Sequence, residues 1–433
     1  MLTRPIGVIC LAVLFSCGRE PTTSPVTPPV QATMPITGTP VPAMSSYDQL
    51  IPDLMRKYDV PGGAVAVMHR DRLIYARGYG YADVENETLV QPDALFRIAS
   101  VSKPITAVAI LKLIEEGRLD LDDRVAPLLD HLAPAEGATV DPRWNDITIR
   151  HLLNHTGGWD RGNPNGGFDP LFRHSEAAAA VDAPAPASPQ TLVRYMKGMP
   201  LDFNPGERHV YSNFGYVVLG RVIERLSGMP YEEYVRTRVL QPAGAQRTRQ
   251  GRTRLADALP DEVKYYLPGQ PGLGMTAPLG PSVFPGEGNV PVVYGGGFYL
   301  EMGDASGAWV SSTVDLLRFV AGVDGDAHRP DVLNAGLVTM MTSTGPVVCS
   351  GGGCYYAFGW LVRPTQGDAN WWHTGSLPGT TSILVRSYHN FAWVALFNAG
   401  VGPGFTSELD AILWNALGSV TSVPTHDLFS TFR

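Results

Sequence analysis

The chain has 433 residues, with 33 Lys and Arg against 41 Asp and Glu and a formal net charge of −8. A phosphate-binding surface needs a basic excess, so this balance argues against a nucleic-acid partner. Hydrophobic content of 44% and charged content of 17% describe an ordinary globular protein, and the length exceeds one compact core, so a two-lobed body or two domains is expected.

Met1 to Arg4 is a short positive region, and Ile6 to Phe15 is an apolar run too short to span a bilayer comfortably. It ends in Leu14-Phe15-Ser16-Cys17-Gly18, which resembles a bacterial lipobox. Residues 1–16 therefore read as a lipoprotein-type signal peptide, and Cys17 as the lipidated new N-terminus. An ordinary cleaved signal is the alternative. Either way the protein is exported, and with a lipid on Cys17 it is expected at the membrane, in the periplasm or on the cell surface. Residues 17–45 are expected to be a tether, because Pro21 to Ser46 holds seven prolines and six threonines and cannot build a core.

Tyr47 to Tyr58 is amphipathic and reads as a helix. Ala64 to Met68 and Leu73 to Gly78 read as strands around the polar turn His69-Arg70-Asp71-Arg72. Next comes Phe-Arg-Ile-Ala-Ser-Val-Ser-Lys-Pro over residues 96–104. A serine hydroxyl needs a neighbouring base to become a useful nucleophile, and residues three apart share a helix face, so the Lys103 amine can reach Ser100. The following helix, Ile105 to Glu116, is apolar on nearly every side and is expected to be central and buried, which disfavours a charged Lys103. Pro104 falls in the first turn, where its missing N–H costs nothing, and Gly117 supplies a stop. Gly157 to Gln190, with its Ala/Pro-rich run Glu176 to Gln190, and Pro260 to Pro291 read as long loops that could rim a cleft. Ser312-Thr313-Val314-Asp315 reads as a capping box opening the helix Leu316 to Val323. Cys349 and Cys354 remain once Cys10 and Cys17 are set aside. In an oxidising compartment they are expected to form a small-loop disulfide, with a metal site as the weaker alternative because no second Cys pair or spaced His accompanies them. Ser382 to Ser387 and Phe391 to Asn398 form a hairpin pattern, and Thr406 to Leu417 a helical one. Both ends of the chain thus supply strands and helices of one antiparallel sheet layered with helices.

A lone Ser-x-x-Lys is a weak signal. Its company strengthens it: Tyr211-Ser212-Asn213 lies between Asn204-Pro205-Gly206-Glu207 and Phe214-Gly215-Tyr216, and Trp372-His373-Thr374-Gly375-Ser376 precedes an alternating strand. With Ile147 to Gly158 between the first two motifs, the chain resembles the serine β-lactamase superfamily over roughly residues 46–420. The likeness is to the class C branch, which also holds family VIII carboxylesterases and D-amino-acid peptidases. The resemblance implies an α/β (α+β), β-lactamase/transpeptidase-like fold over residues 46–425. An α/β lobe of about 46–99 and 290–425 would carry an inserted, mostly helical lobe of about 100–289, with the active site in the cleft between them.

The resemblance also implies roles. Ser100 would be the nucleophile, Lys103 would take its proton directly or through Tyr211, and Tyr211 would act as a phenolate-like base that later serves the leaving group and the deacylating water. Asn213 would hold Lys103 and the substrate carbonyl. His373-Thr374-Gly375 would lie on the edge strand facing the serine, and the backbone N–H groups of Ser100 and Ser376 would form the oxyanion hole. Gly375 is needed because a side chain there would block close approach. Relatives with β-lactamase activity carry lysine where this chain has His373. A largely neutral histidine weakens the pull on a substrate carboxylate, which leans the chain toward esters or peptides lacking that anchor.

The reading is a serine hydrolase of small acyl substrates, needing no metal or cofactor. Carboxylic esters rank first, D-amino-acid or cell-wall peptides second and β-lactams third. From a different class, a non-catalytic relative that captures such ligands is the alternative. His151 and His155, four apart on an expected helix, lack a third metal ligand. Gly295 to Gly297 lacks a phosphate-loop lysine, and no Gly-x-Ser-x-Gly occurs, which removes the α/β-hydrolase elbow.

Overall fold

Strands from the two ends of the chain lie side by side in one antiparallel sheet. A computed structural model describes residues 33–267, 278–349, 353–365 and 367–432; the signal segment, Cys17 and the tether up to residue 32 lie outside them. The central strands are β1 (Gly62–His69), β2 (Arg72–Asp83), β3 (Leu361–Pro364), β4 (Ala369–Leu377), β5 (Thr380–Arg386) and β6 (Phe391–Phe397). They are ordered β2-β1-β6-β5-β4-β3, with Ile36–Thr37 outside β2 and Tyr355–Tyr356 outside β3. The pairing of β6 with β1, Phe397 opposite Gly63 and Phe391 opposite His69, joins the two ends.

Alternation along each strand feeds two cores. Val65, Val67, Ile74, Ile383, Val385, Trp393 and Ala395 face α1 (Ser45–Lys57) and the C-terminal helix, where Ile51, Leu54, Phe405, Leu409 and Leu413 are buried. Ala64, Ala66, Met68, Leu384, Val394 and Leu396 face the larger core on the other side. That core holds α2 (Ser102–Glu115), α3 (Asn213–Ser227) and α4 (Thr313–Ala321). With both faces covered, the strands carry continuous apolar runs. The C-terminal helix is α5 (Pro403–Gly418).

The expected central helix is α2, buried without a break from Ser102 to Leu111. It ends as anticipated at Gly117, whose φ of 67° sets the left-handed turn. There Gly117 N–H donates to Ile114 O and Arg118 N–H to Leu113 O, each at 3.0 Å, which is a Schellman closure.

Several expectations need correction. The last part of the tether is structured: Ile36 and Thr37 pair with Tyr79 and Gly78, and Val41 and Met44 are buried. The scattered apolar residues among those prolines and threonines are enough to dock the segment on a sheet edge. Part of the alanine run is helical, over His174–Ala180, because Ala177 and Ala178 are buried. His155 is not on a helix with His151, since that helix spans only Ile149–Leu153 and His155 has φ 57°. At α4 only half of the capping box forms: Ser312 Oγ accepts from Asp315 N–H at 3.0 Å. The Asp315 carboxylate instead accepts from the Arg247 amide at 2.7 Å, and the helix starts at Thr313, directly after its Ser312 cap. Of the Pro260–Pro291 loop, residues 268–277 lie outside the described residues, and Leu279–Pro281 pairs with Asn289–Pro291.

Candidate active site

The turn that carries Ser100 is pinned before the helix begins. Ile98 N–H donates to Trp309 O at 2.9 Å. Thr380 Oγ1 donates to Arg97 O and Ser382 Oγ to Ile98 O, each at 2.8 Å. Clamped this way, Ala99 adopts φ 49°, a left-handed conformation that costs a non-glycine residue about 1 kcal/mol or more. The 3-10 turn Ala99–Val101 then leads into α2 and leaves Ser100 partly exposed.

Three residues on, the Lys103 side chain is fully buried. Its Nζ lies 3.0 Å from Ser100 Oγ, 2.8 Å from Asn213 Oδ1 and 2.8 Å from the Ser306 carbonyl. None of these partners is a carboxylate. Burial therefore pulls the Lys103 pKa well below its ordinary value; Asp169 acts against this and Arg161 adds to it. In the amine form the short contact reverses, with Ser100 O–H donating to Nζ.

Ser212 caps α3 by accepting from Gly215 N–H at 3.2 Å, which places Asn213 in the first turn. Asn213 bridges two groups, since its Nδ2 also donates to Asp169 Oδ2 at 2.7 Å. Asp169 in turn faces Arg161 at 3.5 Å. Lys103 Nζ lies 4.8 Å and the Arg161 guanidinium 5.5 Å from the centroid of the Tyr211 ring. Burial nevertheless raises the Tyr211 hydroxyl well above its usual value, with Ser100 only partly offsetting it. That direction favours the neutral phenol over the phenolate-like form expected from the sequence.

His373 is buried in β4. Its Nδ1 is 2.7 Å from the Thr374 carbonyl, which can only accept, so Nδ1 carries the proton. Nε2, 3.0 Å from the Tyr356 hydroxyl, then accepts from it. Burial first, and the Lys103 charge second, depress the His373 pKa to about 3. His373 is a neutral imidazole with both nitrogens occupied.

The strand β4 is not an edge strand along its whole length. Its first half pairs with β3 from Ala369 to Trp372, and only residues 373–377 are open on that side among the described residues. Gly375 packs onto the serine turn: a Cβ there would collide with the Ile98 carbonyl oxygen and lie 3.0 Å from Ala99 Cβ. Ser376 is exposed at the open edge. Thr374 departs from expectation. With His373 and Gly375 turned toward the serine, the pleat turns the Thr374 side chain to the opposite face, beside Thr406, Ser407 and Asp410 of α5.

The structure thus brings Ser100, Lys103, Tyr211, Asn213, His373 and Gly375 together and leaves the Thr374 side chain apart. Asp169, Arg161, the Ser306 carbonyl and Tyr356 join them, and none was singled out from sequence. His155 is also present, buried, with its ring 4.3 Å from that of Tyr211 and its Nδ1 accepting from Ser212 N–H at 3.2 Å. Cys349 and Cys354 are joined by a disulfide with Cα atoms 5.2 Å apart.

A family model described as Beta-lactamase matches residues 47–416. Penicillin-binding protein 4* of Bacillus subtilis (strain 168) is 31% identical over 343 residues, covering 78% of this chain and 67% of that protein. Protein flp of Staphylococcus aureus (strain MW2) is 26% identical over 357 residues, covering 82% of this chain and 63% of that protein, so this chain spans somewhat less than two thirds of it. Among solved structures, the octameric penicillin-binding protein homologue from Pyrococcus abyssi superposes with a TM-score of 0.63 at 25% identity, covering 86% of this chain and 77% of that one. The chain belongs to the Beta-lactamase family, within the serine β-lactamase superfamily.

Proposed function

We propose that the protein hydrolyses carboxylic esters through an acyl-Ser100 intermediate, with Lys103 as the base. The observation that carries this reading is the 3.0 Å contact between Lys103 Nζ and Ser100 Oγ, made by a lysine that burial keeps from charging easily. Nζ takes the Ser100 proton as Oγ bonds to the substrate carbonyl carbon, and the carbonyl electron pair moves onto the oxygen. The N–H groups of Ser100 and Ser376 receive that oxyanion. Its collapse breaks the acyl–oxygen bond, and the alkoxide leaves with a proton from Lys103, passed directly or through the neutral Tyr211 hydroxyl. Water then gives its proton to the same amine and attacks the acyl carbon, freeing the acid and Ser100.

The choice of ester rests on His373. A neutral imidazole with both nitrogens engaged offers no cation to a substrate carboxylate. A second reading, hydrolysis of D-amino-acid or cell-wall peptides, is favoured by Arg161. Its half-exposed guanidinium beside Tyr211 could take a C-terminal carboxylate in place of the missing lysine. In both readings the enzyme is exported and held at the membrane through Cys17. Among the described residues no helix is long and apolar enough to cross a membrane. Incorporation of labelled palmitate by the wild type and its loss in Cys17→Ser would check the anchor.

The deciding experiment compares turnover of a short-chain nitrophenyl ester, a D-alanyl-D-alanine peptide and a chromogenic cephalosporin by the full chain, with Ser100→Ala as control. Fast, Ser100-dependent ester cleavage is the expected result. Peptide turnover above ester turnover would replace the first reading by the second. An acyl-enzyme that accumulates without turnover on all three would make the protein a ligand-capture relative.

A further inference from the structure

At the end of β1 farthest from the active site, a buried carboxylate has no partner. Asp71 sits in the turn between β1 and β2, where Arg70 and Asp71 have φ 47° and 58°. It is only 3% exposed, and neither carboxylate oxygen has a hydrogen-bond partner. Burying a charge without partners is costly unless a cation is paired with it.

Asp71 faces the loop that follows α4, Asp324-Gly325-Asp326-Ala327-His328. One ligand atom from each of Asp71, Asp326 and His328 lies within 4.8 Å of the others. The loop is shaped by its own carboxylates: Asp326 N–H donates to Asp324 Oδ1 at 2.9 Å and Gly325 N–H to Asp331 Oδ1 at 3.3 Å. Asp326 also accepts from His328 Nδ1. Of the arginines near this loop, Arg329 pairs with Asp427 at 3.5 Å and Arg386 with Asp368 at 2.9 Å.

We propose that Asp71, Asp326 and His328 bind a divalent transition-metal ion of the zinc class, which ties the β1–β2 turn to the loop after α4. Two carboxylates and an imidazole suit such an ion better than calcium, which takes oxygen ligands. Ligand atoms around zinc stand roughly 3.4 Å apart, so on binding the His328 ring exchanges its hydrogen bond to Asp326 for the metal. The His328 side chain is exposed, which leaves it room for that exchange. The ion has no part in the reaction. The Gly375–Ser382 rung beside Ser100 continues through Leu396 to Ala64, near the start of β1, whereas Asp71 lies beyond its end at His69.

The test uses the untagged full chain, stripped with EDTA and titrated calorimetrically with zinc, manganese and calcium salts. The wild type should bind one zinc ion that neither Asp71→Asn nor His328→Ala binds, its melting temperature should rise with zinc, and ester turnover should be the same with and without the metal. In EDTA, Asp71→Asn should melt no lower than wild type, because an unpaired buried charge has gone; with zinc the order should reverse. If Asp71→Asn folds poorly, His328→Ala, at an exposed position, decides alone. Absence of zinc binding, equal binding by wild type and His328→Ala, or calcium bound in preference to zinc would each overturn the proposal.

Discussion

The Tyr356 hydroxyl donates to Nε2 of His373 across 3.0 Å, and this bond, with the Thr374 carbonyl on Nδ1, fixes the imidazole in one neutral tautomer. A cation at that position would change what the cleft attracts. The variant His373→Lys should therefore raise kcat/KM for a carboxylate-bearing cephalosporin about tenfold, equivalent to about 1.4 kcal/mol, and leave a neutral ester little changed. Steady-state kinetics on both substrates check it. An unchanged cephalosporin rate would mean that residue 373 does not set the preference.

The buried Lys103 predicts opposite effects on activity and on stability. Lys103→Met should lower ester turnover about a thousandfold or more. Folding takes a lysine whose unfolded pKa is 10.5 into a site where it is depressed, so the folded state binds fewer protons between those two values. Wild-type stability gained from this group therefore rises with pH across that window and is least at its acid end. Denaturant midpoints measured from pH 6 to 10 should show wild type gaining on Lys103→Met as pH rises. A constant difference would mean that the amine is charged in the folded protein throughout.

Much of this site was legible because its chemistry is carried by side chains at short, fixed spacing. Ser100 and Lys103 share a helix face, and Tyr211 and Asn213 bracket a capping serine. The sheet was legible from short apolar runs broken by polar turns at both ends of the chain. What escaped depends on tertiary contact or on backbone. Asp169 is 44 residues from the Asn213 it holds, and locally it is a turn residue accepting from Leu171 N–H at 3.2 Å. The Ser306 acceptor is a carbonyl, which any residue type would supply. The motif puts Lys103 next to Tyr211 and so suggests a phenolate-like base, whereas the burial that raises the Tyr211 hydroxyl depends on the whole fold. The direction of the Thr374 side chain was legible too: once His373 points at the serine, strand parity sends the next side chain away.

Asp169 and Arg161 act on Lys103 with opposite signs, the first raising its pKa and the second lowering it. Removing the carboxylate in Asp169→Asn should shift the acid limb of the kcat/KM profile to lower pH, and removing the guanidinium in Arg161→Ala should shift it to higher pH. Asp169→Asn should also lower kcat about tenfold, because Asn213 loses its 2.7 Å anchor and with it the position of the amide facing Lys103. Profiles from pH 5 to 9 on a neutral ester distinguish this from general loosening, which would lower kcat in both variants without moving the limb. Shifts in the same direction would remove Lys103 as the titrating base.

Gly375 makes the sharpest demand on side-chain size. A methyl group there would meet the Ile98 carbonyl oxygen and stand 3.0 Å from Ala99 Cβ. Neither can retreat, because Ile98 is hydrogen-bonded through both its N–H and its carbonyl, to Trp309 and Ser382. Gly375→Ala should therefore push β4 from the serine turn and destabilise the fold by about 1–3 kcal/mol. Displacing the Ser376 amide, the proposed second oxyanion donor, should cost kcat about a hundredfold, the size of losing one such donor. Ser376→Ala keeps that amide and should stay within a few fold of wild type. Chemical denaturation and ester kinetics on the two variants check both parts, and a Gly375→Ala enzyme with normal kcat would exclude the Ser376 amide from the oxyanion hole.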